Sequence, residues 1–168
     1  MCSSIKKYLA WAPALTIAIM IFYFSSQPAD VSTASSSQIS RLLLQFADLL
    51  QLASLENANI TALCELMETP VRKSAHILEF SILNISILYA LHVWAMKGRK
   101  WIAAAWIITV LYACTDEIHQ LFVPGRAGMV TDVMIDSIGV TLISIVLLWR
   151  VCSGEKKGSI SPFHIKNP

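Results

Sequence analysis

The chain has 168 residues, of which 55% are hydrophobic and only 14% are charged, and its formal net charge is +2. Soluble domains carry about 25% charged residues, so the composition excludes an ordinary soluble domain and indicates that lipid is the solvent. The length fits a single domain over residues 1–168, and the small net charge gives no indication of a nucleic-acid partner.

Four apolar segments are long enough to cross a bilayer, which takes about 20 residues per helix. They predict an all-α membrane protein with transmembrane helices over residues 8–24, 75–96, 101–122 and 130–151, followed by a short tail over 153–168. A polar stretch follows the first segment where a signal peptide would have a cleavage site, so a retained anchor is favoured. The last three segments are joined by tight turns, which predicts an up-down bundle.

The connection over residues 27–74 is the only long one. Apolar residues recur within it at helical spacing, and Ser35, Ser36 and Ser37 are candidate caps just before them. The pattern predicts an amphipathic helix that packs on the bundle or lies in the membrane interface, and a lid over a lipid-accessible site is the alternative. The apolar positions are Ile39, Leu42, Leu43, Phe46, Leu49, Leu50 and Ala53.

The orientation follows from the placement of lysine and arginine, which favour the cytoplasmic side. If both termini are cytoplasmic, nine of the thirteen basic residues lie inside, and of the eleven acidic residues only Glu155 does. The two counts agree, so both termini are predicted to be cytoplasmic. The nine basic residues are Lys6, Lys7, Lys97, Arg99, Lys100, Arg150, Lys156, Lys157 and Lys166.

Ionisable residues gather where the predicted spans meet the outer face. A charged residue inside a bilayer costs about 2.5–3.5 kcal/mol on insertion scales, so each one needs a partner or a purpose. Spacings of three and four residues place members of each group on one helix face, and the three faces should converge on a shared pocket. The groups are Arg72, Lys73, His76 and Glu79, then Asp116, Glu117, His119, Gln120 and Arg126, then Asp132 and Asp136, with Gly139 allowing a close helix approach.

Two kinds of chemistry fit this cluster, whose formal charge is +3 − 5 = −2 with neutral histidines. The guanidinium groups of Arg72 and Arg126 are suited to phosphate, and so could hold an anionic or phosphorylated ligand. The carboxylates, with a histidine, could hold a divalent cation or act as general acid and base. Lys73, Glu79, Gln120, Asp132 and Asp136 are further candidate ligand contacts.

A structural interpretation stands beside the functional one. The arginines and Lys73 could simply pair with carboxylates and fix the register of the helices. His92, near the other end of its helix, is interpreted as structural. A small transporter is disfavoured because the polar groups are confined to one end of the predicted bundle.

Several stretches resemble the VanZ-like family of bacterial membrane proteins. They are Val71-Arg72-Lys73-Ser74-Ala75-His76 with Glu79-Phe80, then Thr115-Asp116-Glu117-Ile118-His119-Gln120 continuing to Pro124-Gly125-Arg126, then Asp132, Asp136 and Gly139. An opening helix that ends Phe24-Ser25-Ser26-Gln27-Pro28 is also similar. Phe80 stands where the family often has tyrosine. The founding member is associated with low-level teicoplanin resistance, and the resemblance implies a bacterial inner-membrane protein whose signature residues lie at the outer surface.

Together these observations predict an envelope protein that binds, and by one hypothesis processes, an anionic or phosphorylated lipid-linked ligand. Asp116 and Glu117 would be acid/base or, with His119, metal-binding groups, and His76 would assist them. The expected partners are membrane lipids or lipid-linked envelope precursors. The alternative is a non-catalytic scaffold or accessory subunit in which the cluster is a helix lock.

Overall fold

A computed structural model describes residues 2–52 and 59–155, and every regular element in these ranges is a helix. The all-α prediction is therefore confirmed. The predicted tail lies outside the described residues from 156 onward, as does Ala53 of the apolar pattern. The helices are α1 (Cys2–Leu9), α2 (Ala12–Ser25), α3 (Ala29–Leu49), α4 (Ile60–Val93), α5 (Gly98–Gln120) and α6 (Val130–Glu155).

Within the part of the chain that the structure describes, four helical segments are long and apolar enough to cross a membrane, as predicted, and the chain is a multi-pass membrane protein. The first combines α1 and α2, which are separated by a turn at Ala10 and Trp11, with a proline in the first turn of α2, where a helix tolerates it. The segments are Ile5–Ser25, Ile60–Val93, Gly98–Gln120 and Val130–Ser153.

The fourth helix is the centre of the bundle, because α2, α3, α5 and α6 all pack against it. The side chain of Phe80 on α4 is completely buried, and Ile21, Ile102 and Val140 bury against the same core. Gly139 on α6 lies against α4 so closely that an added Cβ would meet the Ser81 hydroxyl and the Ile77 side chain. The predicted close approach at Gly139 is therefore confirmed.

Residues 27–74 contain the helix α3, which covers most of the predicted apolar pattern, but the connection ends earlier than predicted. The fourth helix begins at Ile60 rather than near residue 75, and the Asn59 side chain caps it by accepting a hydrogen bond from the Ala62 amide. Pro70 lies inside this helix without ending it. Its missing N–H removes a single backbone hydrogen bond, and packing along the rest of α4 maintains the helix.

The predicted caps of α3 are also wrong. The helix begins after Pro28, with Asp30 in its first turn, where a carboxylate is favoured by the helix dipole. Ser35 and Ser36 lie inside it, and their hydroxyls donate to backbone carbonyls four residues earlier. The face of α3 that is buried carries Ser36 and Ser40, whereas the large apolar side chains of the helix are exposed.

Candidate functional site

The predicted cluster lies at one end of the bundle, which we call the cluster end: the end at which α2 and α5 terminate and α6 begins. The connection between α5 and α6 crosses this end and is tied to the start of α3, since the Ala29 amide donates to the Pro124 carbonyl at 3.2 Å. Gly125 has a φ of +75° and packs against Ala29, so a side chain there would be strained and crowded.

The Asp116 carboxylate is the centre of a buried hydrogen-bond network. Its Oδ2 accepts from the Ser25 hydroxyl at 2.7 Å and from the Gln120 amide at 2.9 Å, and the Gln120 amide also donates to Ser25 at 2.9 Å. Its Oδ1 is buried without a hydrogen-bond partner among the described residues. The network joins the ends of α2 and α5, and it confirms that Asp116 and Gln120 share a face.

The neighbouring Glu117 fixes the loop before α6. Its carboxylate accepts from the Met129 amide at 2.8 Å and from the Gln120 amide at 3.3 Å. Gly128 lies directly against the Glu117 carbonyl, where a Cβ would overlap it. The loop therefore reaches this position only because residue 128 has no side chain.

The Arg126 guanidinium is held by neutral acceptors. Its Nε donates to the Gln27 carbonyl at 3.0 Å, its Nη2 to the Phe24 carbonyl at 3.3 Å, and its Nη1 to the Gln120 side-chain oxygen at 3.4 Å. These two carbonyls lie at and just after the end of α2, and the Phe24 carbonyl also accepts from the Gln27 amide at 3.2 Å. Burial, and next the nearby Arg72, lower the pKa of Arg126 from its ordinary value, although an arginine remains protonated at any physiological pH.

The two cationic residues of α4 differ in their pairing. Lys73 forms a salt bridge of 3.1 Å with Asp132 on α6. Arg72 makes no hydrogen bond or salt bridge with any residue in 2–52 or 59–155. Lys73 is therefore paired, as the helix-lock interpretation predicts. The N–H donors of Arg72 remain available for a ligand.

One turn further along α4, His76 and Glu79 approach each other without a hydrogen bond. The His76 Nδ1 lies 3.9 Å from the Glu79 carboxylate and is buried without a hydrogen-bond partner among the described residues. The His76 ring stacks on Phe80, which contacts Tyr112, whose hydroxyl donates to the Ala18 carbonyl. Aromatic packing by Phe80 and Tyr112 therefore restricts the orientation of the His76 ring.

A cavity of about 240 Å³ lies between these elements at the cluster end. Eight predicted site residues line it, and their formal charges balance at three positive and three negative with a neutral histidine. Asp116, Glu79 and His119 are not part of the lining, and Ala29, Gly125, Ala127, Met129 and Ile135 complete it. The eight are Arg72, Lys73, His76, Glu117, Gln120, Arg126, Asp132 and Asp136.

Several polar atoms around the cavity have no hydrogen-bond partner within residues 2–52 and 59–155. Asp136 is 3% exposed, and its Oδ2 forms no hydrogen bond with the described residues. The His76 Nδ1 is in the same state, and Arg72 adds an unpaired cation. Buried polar atoms are normally hydrogen-bonded to protein or water, so the cavity is suited to a polar ligand or to ordered water.

His119 lies on another side of α5. Its Nε2 is 3.1 Å from the Ser26 hydroxyl, and its ring stacks on Phe22 with 4.5 Å between centroids. Among residues 2–52 and 59–155, no three His, Cys, Asp or Glu side chains converge in a metal-binding group. The divalent-cation site suggested by the carboxylates therefore stays a prediction. The described residues contain no set of three ligands for it.

Three contributors to the site were missed by the sequence reasoning. Ser25 and Ser26 bridge α2 to Asp116 and His119, and the Met129 amide binds Glu117. The two serines had a signal, because adjacent hydroxyls end an apolar span at the same depth as the carboxylates. A backbone amide has none, since every residue other than proline carries one.

The sequence matches the model of the VanZ/LLP1 family over residues 10–152. The match covers all of the cavity-lining residues and all four membrane-spanning segments except residues 5–9 of the first and Ser153 of the last. No curated protein and no solved structure matches the chain.

Proposed function

The chain belongs to the VanZ/LLP1 family, and from this premise we propose that it binds the anionic head group of a phosphorylated, lipid-linked molecule at the outer face of the bacterial cytoplasmic membrane. The observation that carries the proposal is Arg72, whose guanidinium has no hydrogen-bond or salt-bridge partner among the described residues and lies at the wall of a polar cavity. Arginine is over-represented where carboxylate or phosphate is bound in a bidentate way.

The assignment to the outer face rests on the distribution of charge. The opposite end of the bundle carries basic residues close to the ends of three membrane-spanning segments: Lys6, Lys7, Lys97, Arg99, Lys100 and Arg150. Such residues favour the cytoplasm. The cluster end then faces outward, and the cavity meets molecules of the outer leaflet.

The size of the cavity favours a head group over a whole ligand. Pockets that enclose a drug-sized molecule have volumes of about 300–1,000 Å³, whereas this cavity has about 240 Å³. A phosphate with a small substituent fits this space. A lipid chain would remain in the bilayer, so the protein needs to recognise only the polar part.

The charges around the cavity support an anion over a cation. Lys73 neutralises Asp132 directly, and Glu117 is already satisfied by two donors. No carboxylate of the described residues forms a salt bridge with Arg72 or Arg126, so both guanidinium charges are available to an anionic group in the cavity. A protonated Asp136 would donate a hydrogen bond to such a group, whereas an ionised Asp136 would repel it. The protonation state of Asp136 would therefore affect which charge state of a phosphate the site binds.

A processing reaction is the extension of this proposal. His76 lines the cavity with an unpaired Nδ1, and a positioned histidine is the commonest general acid or base. Glu117 is the other titratable group of the predicted catalytic set that reaches the wall. Asp116, enclosed in its network, would act through Gln120 as a positioning residue.

The alternative function, a scaffold in which the cluster is a helix lock, is favoured by one observation. Arg126 donates to two carbonyls at the end of α2 and to Gln120, so it stabilises the fold whatever else it does. The two arginines therefore distinguish the functions. A lock needs Arg126 and is indifferent to Arg72, whereas a binding site needs Arg72.

The test is the thermal stability of the purified protein with phosphatidate, a polyprenyl phosphate, neutral phosphatidylcholine, inorganic phosphate and Mg²⁺. A ligand at one hundred times its dissociation constant stabilises by about 2.7 kcal/mol. We expect stabilisation by the phosphorylated lipids that disappears in Arg72→Gln, while the stability of this variant without ligand stays at the parent value.

Arg150→Gln is the matched control, because Arg150 is exposed at the opposite end of α6. It should keep the full stabilisation by ligand. The proposal fails if no phosphorylated compound stabilises the parent, or if Arg72→Gln is stabilised as much as Arg150→Gln. Either result would leave the helix lock as the function of the cluster.

A further inference from the structure

The first part of α4 extends beyond the bundle at the cluster end and pairs with α3. We call α3 and residues 60–71 together the hairpin. Its helices are antiparallel, and the Ser37 hydroxyl donates to the Glu68 carboxylate across them. With 34 residues, α4 is about 51 Å long, whereas the hydrocarbon core of a bilayer is about 30 Å thick. The part of α4 that exceeds the thickness of the hydrocarbon core is the part that belongs to the hairpin.

The exposed surface of α3 has two sides. Large apolar side chains occupy one side, and among them Leu42 is 65% exposed, Phe46 59% and Leu49 76%. The charged residues of the helix, Asp30, Arg41 and Asp48, are spaced by eleven and seven residues, which places them together on another side. The narrow face that packs against α4 carries Ser36 and Ser40 and lies between the two.

The first part of α4 has the same two sides. A row of exposed residues at intervals of four begins with Leu66, which is 75% exposed, and winds round the helix by about 40° per step through Pro70 and Ser74 to Leu78 and Ile82. Leu78 and Ile82 lie in the membrane-spanning part, where exposed apolar side chains face lipid. The row therefore joins the hairpin to the lipid-facing surface of the bundle without a break. The acidic Glu65 and Glu68 lie on the other side of α4 from Leu66 and Pro70.

The two apolar sides coincide. Ser37 is adjacent to the charged side of α3, and Glu68 belongs to the acidic side of α4. The hydrogen bond between them shows that these two sides meet on the same surface of the hairpin. The apolar residues of both helices must then share the opposite surface. The result is a two-helix element with one apolar surface and one charged surface, which is the pattern of an interfacial membrane helix.

We infer that the apolar surface of the hairpin is embedded in the bilayer leaflet at the cluster end. Transmembrane helices tilt by up to about 40°, and at that tilt α4 spans about 39 Å along the membrane normal. This matches a bilayer with its interfacial regions, about 40–45 Å. A tilt in the direction of the hairpin's own apolar surface brings that surface down onto the leaflet and leaves the charged surface in water.

The position of the hairpin gives this contact a consequence for access. Ala29 at the start of α3 and Arg72 at the base of the hairpin both line the cavity. A hairpin that lies on the leaflet therefore places the cavity wall at the level of the lipid head groups. Contact between the hairpin and the leaflet does not require a head-group ligand, so the two proposals are tested separately.

Depth measurements on the full chain test the inference. The four native cysteines are first replaced by alanine or serine. Single cysteines are then introduced by Phe46→Cys and Leu66→Cys on the apolar surface, and by Arg41→Cys and Glu65→Cys on the charged surface. Each single cysteine is labelled with a fluorophore. The protein is reconstituted in phosphatidylethanolamine–phosphatidylglycerol vesicles, with brominated acyl chains or with iodide on both sides. Leu142→Cys, exposed within the α6 span, is the benchmark for lipid contact.

We expect probes at 46 and 66 to lose most of their fluorescence to brominated lipid, as at 142, and little to iodide, with the reverse at 41 and 65. Quenching of 46 and 66 by iodide overturns the inference, because the apolar surface would then face water. Protection of both from lipid and iodide together also overturns it, and would assign the surface to a second copy, which disulfide-linked Phe46→Cys dimers would identify. Two positions on each surface keep the test decisive if one variant fails to fold.

Discussion

Two groups of buried polar side chains lie in the same bundle and are built from different chemistry. In the middle of the membrane-spanning region, Asn84 on α4 donates to Thr109 on α5 at 3.1 Å, and Thr109 donates to the Ala105 carbonyl at 2.8 Å. Each of these groups is neutral. At the cluster end, the side chains that join α2, α4, α5 and α6 are largely ionisable, and a cavity lies between them.

The difference shows what a helix lock requires. Neutral hydrogen bonds between membrane helices contribute about 0.6 kcal/mol each on average, and they carry no penalty for burying a charge. Burying an ionisable side chain such as Asp116 or Asp136, each 3% exposed, costs free energy that burying a neutral, hydrogen-bonded side chain does not. A protein that needed only to join its helices could repeat the Asn84–Thr109 pair. The charges at the cluster end therefore support a second role, and the following changes test the contrast between the two regions.

The largest effect is expected for Gly128→Ala, which crowds the loop that closes the cluster end. The new Cβ would overlap the Glu117 carbonyl, which is backbone and cannot rotate away. Overpacking of a tight site costs about 1–3 kcal/mol, and loss of the Met129–Glu117 hydrogen bond adds to it. Denaturant unfolding in detergent micelles should show a loss of about 3 kcal/mol.

Gly98→Ala is the matched control for this change. Gly98 has a φ of +67°, but a Cβ there meets no atom within 4 Å. Its expected loss is only the conformational penalty of a left-handed residue, about 1 kcal/mol. Equal losses in the two variants would show that the crowding at Glu117 is not real.

The next effect in size is expected for Asp116→Ala. The change removes the acceptor of Ser25 and Gln120, both of which are buried. Leaving buried donors without partners costs about 2 kcal/mol. In Asp116→Asn the side-chain oxygen can still accept from both, so this variant should retain most of the stability of the parent.

A double-mutant cycle sharpens the Asp116 prediction. Ser25→Ala combined with Asp116→Ala should lose less than the sum of the single losses, since the two residues share a hydrogen bond. Additive losses would contradict the network. Unfolding free energies for the four proteins supply the measurement.

The four membrane-spanning segments and the convergence of the cluster could be predicted from the sequence, because both depend on periodic patterns. Hydropathy identifies a span by itself, and tight turns force neighbouring helices to bring their ends together. Asp116 and Gln120, or Asp132 and Asp136, then need only a spacing of four residues to share a face.

Two features could not be predicted, for physical reasons. Arg126 is bound by the carbonyls of Phe24 and Gln27, about one hundred residues earlier, and a carbonyl has no sequence signature. The extension of α4 to Ile60 depends on Asn59 as a cap and on packing against α3, whereas Glu65, Glu68 and Pro70 give the segment the composition of a loop.

A smaller effect is expected in the neutral region. Thr109→Val preserves the shape of the side chain and removes the hydroxyl that joins Asn84 to α5, so unfolding should show a loss of about 0.6 kcal/mol. Thr115→Val is the control on the same helix, because Thr115 is exposed and its hydroxyl donates only to the Tyr112 carbonyl within α5. A loss at Thr109 as large as that at Asp116 would remove the contrast between the two regions.

The smallest effect on stability is expected at the salt bridge between Lys73 and Asp132. Their side chains are 36% and 26% exposed, and pairs with this access to solvent contribute about 0.5 kcal/mol. Lys73→Asp combined with Asp132→Lys restores an opposite-charge pair and should have the stability of the parent. Both residues line the cavity, so the exchange moves a positive charge from one wall to another. If the cluster binds an anion, the exchanged protein keeps its unfolding free energy and loses stabilisation by phosphorylated lipid; if the pair is a lock alone, the exchange restores both, because a lock depends on the attraction and not on which helix carries the lysine.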